Sequence, residues 1–68
     1  MKKGDKVIST RSFDTDEPSK WAPVPRGTKG KIVKVSTFFN VYYDYEVIWE
    51  GIRCTEGFPV KKDEIKKA

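Results

Sequence analysis

Arg26, Lys29, Lys31 and Lys34 follow one another with no acidic residue between them, a run that can track a phosphate backbone by charge alone. Lys2, Lys3 and Lys6 join it in space if the first strand pairs with the second. Just beyond it, Phe38, Phe39 and Tyr42 crowd into or beside a turn, where neighbouring rings cannot all point inward. An exposed ring beside cations can stack on a base or anchor a protein partner. The plainer account of the lysines is solubility and edge protection, and it is preferred here. For the rings the plainer account, one capping an open sheet end and another lying flat on the surface, stands level with the functional one.

Other chemistry is thin. Asp14, Asp16 and Glu17 make a locally negative segment, but the oxygen spacing and terminal Glu of a calcium loop are missing, so a solvated loop is expected and no metal. Gly27 to Lys31 is too short for a phosphate loop, has Ile32 where Ser or Thr is required and enters a strand, which discards that reading. Cys54 is the only cysteine and there is no histidine. An intrachain disulfide and an ordinary Cys/His zinc site are thereby excluded, and the commonest general base is absent. Cys54 itself is expected to be a small buried residue, with no activated thiolate. The chain is therefore expected to be no enzyme on its own and to need no cofactor.

The elements that must position these residues are short strands. The 68 residues provide for one small domain over 1–68, in the size range where burial barely offsets chain entropy. Nine aromatics (four Phe, three Tyr, two Trp) supply dense packing, most of it expected in the core. Asp5 to Thr10 reads as a first strand. Arg11 to Gly27, rich in Pro and acids, reads as one long loop pinned by Trp21, and a loop of that length is functional or flexible. Gly27 and Gly30 are expected to frame a tight turn into a strand over Lys31 to Ser36, whose Ile32, Val33 and Val35 do not alternate cleanly and so predict a bulge or a strand buried partly on both faces. In the next strand, Val41, Tyr43, Tyr45, Val47 and Trp49 are assigned to the core face, with Tyr42, Asp44, Glu46 and Ile48 opposite. A hairpin through Gly51 leads to Phe58, Pro59 bars central pairing, and Lys61 to Lys67 reads as one helical turn and a short edge strand through Ile65. The expected shared core is Val7, Ile32, Val35, Val47, Trp49 and Ile65. The fold class is all-β: a small barrel of about five short antiparallel strands with one long loop after the first.

The order Gly4-Asp5-Lys6-Val7, long loop, Gly27-Thr28-Lys29-Gly30-Lys31-Ile32, Tyr45-Glu46-Val47-Ile48-Trp49 and a closing Val60 to Ile65 resembles small bacterial SH3-like barrels across almost the whole chain. These include KOW-type ribosomal and transcription domains and electron-transport accessory barrels. A second likeness is to signalling SH3 domains: Tyr42-Tyr43-Asp44-Tyr45 is similar to their aromatic motif, and Glu56-Gly57-Phe58-Pro59-Val60 to their Gly-x-Phe-Pro segment. There the aromatic motif precedes the Gly-Asp strand, whereas here it follows, so recognition of proline peptides is not expected.

The net charge of +4 is mild for a dedicated nucleic-acid binder. No apolar run follows Lys2 and Lys3 as a leader needs, and no stretch approaches the ~20 apolar residues of a membrane span. A cytoplasmic, soluble interaction module is expected, binding a protein partner or larger complex through the long loop and adjacent aromatic surface. The alternative is a nucleic-acid-binding barrel. The candidate partner-binding residues are Trp21, Arg26, Lys29, Lys31, Lys34, Phe38, Phe39 and Tyr42.

Overall fold

The computed structural model describes residues 1–16, 19–36 and 42–68. Five strands form one antiparallel sheet, curled into a half-barrel: β1 (Lys6–Ser9), β2 (Lys29–Val35), β3 (Tyr45–Trp49), β4 (Phe58–Val60) and β5 (Ile65–Lys67), in the spatial order β4-β3-β2-β1-β5. This is the expected all-β class, consistent with a small SH3-like barrel, with the long loop lying between β1 and β2. Among the described residues no helix is long and apolar enough to cross a membrane.

Side-chain alternation sets the two faces. Val7, Ser9, Ile32, Val47, Trp49, Phe58, Val60 and Ile65 turn inward and are buried, while their neighbours along each strand turn out. The bulge expected in β2 is present: Ile32 pairs with Val47 and Lys34 with Glu46, leaving Val33 without an opposite number. The extra residue turns Lys34 outward and Val35 back to the core side. Val35 nevertheless is 40% exposed, against expectation, because it ends β2 opposite a half-buried Tyr45, past the last closed layer of the core.

A further correction concerns the turn before β2, while the sheet edges are as expected. The tight turn lies earlier than expected, where Thr28 N–H donates to Pro25 O (3.2 Å) and Gly27 takes a positive φ of 86°. Lys29 and Gly30 already belong to β2. Gly30 is there for space rather than for turning: a Cβ on it would stand 2.6 Å from Val47 Cγ1 and 2.8 Å from the Trp49 ring. Trp49 thus fits over a strand that has no side chain at that point, and with its Nε1 buried and lacking an acceptor among the described residues, the ring is held by packing alone. Pro59 sits in β4 at the sheet edge, where a missing N–H costs no ladder bond. A 3₁₀ turn (Lys62–Glu64) then leads into the edge strand β5, and Lys61 N–H donates to the Glu64 carboxylate (2.8 Å) to fix that turn.

The core is wider than the strands alone predict. Phe13 and Val24, both in the long loop, are buried with it and exchange a pair of backbone hydrogen bonds (2.8 and 2.9 Å). Ser9, buried at the end of β1, ties the base of that loop: its hydroxyl donates to Pro25 O and accepts from Thr28 N–H, each at 3.0 Å. Trp49→Ala should cost about 3–5 kcal/mol through loss of the ring and the cavity left behind, enough to unfold a domain of this size. Gly30→Ala, which removes nothing, should cost about 1–3 kcal/mol by overpacking the same contact. Urea unfolding of both variants checks the pair, and a Gly30→Ala protein as stable as the parent would contradict the fit described.

Candidate functional site

The second half of the long loop runs alongside the connection from β3 to β4 and is stitched to it. Thr55 N–H donates to Lys20 O (2.8 Å), Ala22 N–H to Arg53 O (3.0 Å) and the Arg53 guanidinium to Ser19 O (3.2 Å), while Trp21 and Cys54 form an isolated antiparallel bridge. Trp21 lies in the middle of this seam, so it pins the loop as expected. Its indole N–H donates to Glu56 O (2.8 Å), and its ring stands edge-on to Phe58, with centroids 5.3 Å apart at 67°. Lys20 Nζ lies 5.7 Å from the Trp21 centroid and 2.9 Å from the Glu56 carboxylate.

The half-buried indole separates two open clefts that meet at the β4 edge. One, of about 370 Å³, runs under the first half of the loop between Phe13, Asp14, Asp16, Phe58 and Glu64. The other, of about 240 Å³, lies between Tyr43, Glu46, Glu56 and Gly57. Trp21 and Pro59 line both. Tyr43 is therefore not a core-face residue as expected: its hydroxyl donates to Glu46 Oε2 (3.1 Å), on the opposite sheet face, because β3 begins only at Tyr45 and the alternation assumed from Val41 onward does not hold through Tyr43. Val41 falls outside the described residues.

Carboxylates rim these clefts, and most are already engaged. Glu46 meets Lys34 (3.6 Å), Glu56 meets Lys20 and Glu64 meets Arg11 (3.4 Å). Asp14 and Asp16 are exposed and make no ion pair or hydrogen bond among the described residues. The cleft beside Trp21 thus offers an apolar floor of rings and proline under two unengaged negative charges.

The other candidates are not gathered here. Arg26 stands in the turn before β2, its backbone N–H held by Ser12 Oγ (3.1 Å). Lys29 and Lys31 are exposed on the outer sheet face, and Lys34 reaches from that face to Glu46. Tyr42 is 82% exposed. Phe38 and Phe39 lie outside the described residues. Sequence reasoning missed Phe13, Tyr43 and Phe58 with Pro59 as cleft residues; the Gly57-Phe58-Pro59 segment was the signal that pointed there.

No protein-family model matches the chain, and no curated protein or solved structure matches it.

The stitching makes the loop uneven. Amide exchange should be slow at Phe13, Ala22, Val24 and Thr55, whose N–H groups are bonded across the loop, and fast at Asp14 and Asp16. Two-dimensional NMR after transfer to deuterated buffer reads this directly, and uniform exchange from Ser12 to Pro25 would mean that the seam is not formed.

Proposed function

We propose that this chain is a non-enzymatic interaction module that captures an extended segment of a partner protein in the paired clefts astride Trp21. The observation that carries this reading is the indole itself: a large, rigid side chain, fixed by Glu56 and Phe58 yet half-exposed, standing between two concavities. A ring already held in place loses little rotamer freedom when a ligand covers it, which is what makes Trp an anchor at interfaces. The unengaged Asp14 and Asp16 beside it favour a segment that carries a cationic side chain next to an apolar one. The likeness of the motif order to small bacterial SH3-like barrels supports a binding role of this general kind, with the long loop, as expected, joined by β4.

Selection of nonapeptides from a random display library, followed by titration monitored at the Trp21 indole N–H resonance, tests the proposal. Enriched peptides should bear Arg or Lys beside a bulky apolar residue and should move that resonance. Trp21→Ala should weaken binding at least tenfold, and Asp14→Asn with Asp16→Asn should weaken it less and reduce its salt dependence. Ligands indifferent to Trp21 would sink this assignment.

A further inference from the structure

The strand register gathers a second surface that the cleft does not use. Lys6 of β1 lies directly opposite Lys31 of β2. Ile8, two residues along β1, lies between Lys29 on one side and Lys66 of β5 on the other. Since Val7, Ser9, Gly30, Ile32 and Ile65 turn inward, Lys6, Ile8, Lys29, Lys31 and Lys66 share the outer face. Four ammonium groups are thereby carried on three adjacent strands, with strands about 4.8 Å apart and same-face side chains about 6.8 Å apart along each strand. Only Lys29 and Lys31 belong to the basic run visible in the sequence; Lys6 and Lys66 are brought in from the two ends of the chain by pairing.

These lysines differ from the other cations nearby. Arg11, Lys20 and Lys34 each have a carboxylate partner, whereas no ion pair engages Lys6, Lys29, Lys31 or Lys66 among the described residues. The row Ile48-Lys31-Lys6 contains no acid; the row Lys29-Ile8-Lys66 meets Glu50 at its β3 margin, where Glu50 N–H donates to Lys29 O (2.8 Å) without an ion pair between the side chains among the described residues, and the row beyond Lys31 turns acidic at Glu46 toward β4. Like charges placed directly opposite one another disfavour the sheet, so the Lys6–Lys31 pair is a cost that the fold alone does not recover.

We propose that the outer face of β2, β1 and β5 is a binding site for the phosphate backbone of a nucleic acid duplex, recognised by charge and not by sequence. A duplex presents about one negative charge per 1.7 Å of axis, the densest regular polyanion available to such a patch. Lysine offers a mobile point charge to phosphate oxygens, and the face has no Arg, Asn or Gln with which to read a base edge. A lipid surface fits less well, because the apolar residues of the face, Ile8 and Ile48, lie half-buried within the sheet and leave nothing to insert between headgroups. The site is independent of the cleft at Trp21.

Fluorescence anisotropy with two labelled 20-base-pair duplexes of unrelated sequence, between 50 and 200 mM salt, tests this at roughly the range over which counterion release is read. Both duplexes should bind alike, and log K should fall with log salt with a slope of about −3 to −4, as expected for four phosphate contacts. Lys31→Gln with Lys66→Gln should reduce the magnitude of the slope by about two, as should Lys6→Gln with Lys29→Gln. Lys61→Gln with Lys62→Gln, which removes the same net charge from exposed positions off this face, should leave it nearly unchanged. Trp21→Ala should have no effect, which separates this site from the cleft. All these substitutions are at the surface except Trp21→Ala, and thermal melting confirms folding of each. The proposal is overturned by absence of saturable binding at 50 mM salt, by equal effects of the on-face and off-face pairs, or by tighter binding to phosphatidylserine vesicles than to either duplex.

Discussion

Phe58 is the side chain on which the rest of this small structure depends. Its ring centroid lies 5.4 Å from that of Phe13, 5.3 Å from Trp21 and 6.4 Å from Trp49, so it touches both halves of the long loop and the centre of the strand core together. A sheet curled into a half-barrel buries one face only by finding a cover for its open side. Here the cover is the loop, and Phe58 is where the loop meets the sheet. Tilted and edge-on ring pairs at these distances add to the area they bury, which matters in a chain of 68 residues. The same packing exposes one flank of Trp21, so the proposed binding surface is a by-product of how the core is closed.

Charge is distributed along the order of the strands. At the β4 edge, carboxylates from the loop, β3 and the 3₁₀ turn surround an apolar pair of clefts. Across the sheet toward β5, the outer face carries lysines, with Glu50 beside Lys29 at the β3 margin. The net charge conceals this polarity: +4 describes neither region. Two surfaces of opposite character thus lie on one small body.

The strand framework was legible in the sequence because its signals are local. Broken alternation at Ile32, Val33 and Val35 announced the bulge, Pro59 announced an edge strand, and a short polar stretch ending in Ile65 announced a turn and a closing strand. What escaped was whatever depends on distant partners. Phe13 and Val24 are isolated apolar residues in a stretch of prolines and acids, and only their mutual bridge and Phe58 make them core. Gly30 looked like a turn glycine because nothing in its neighbourhood reveals that Trp49 will lie over it. Tyr43 was misassigned because the pattern of β3 was extended past the strand's true beginning. Of the candidate site, Trp21 is legible in the sequence; Tyr43 and Phe58 with Pro59 lie in segments whose likeness to a peptide-binding groove is discounted on motif order, and Phe13 carries no local signal.

The bridge between Trp21 and Cys54 has a practical corollary. The chain's sole thiol is half-buried on the very seam that fastens the long loop to the body. Local unfastening of that seam exposes the half-buried sulfur further, so labelling by a thiol reagent should quicken as the loop opens. A ligand that clamps Trp21 should slow the labelling, whereas one that sits on the lysine face should leave its pace unchanged.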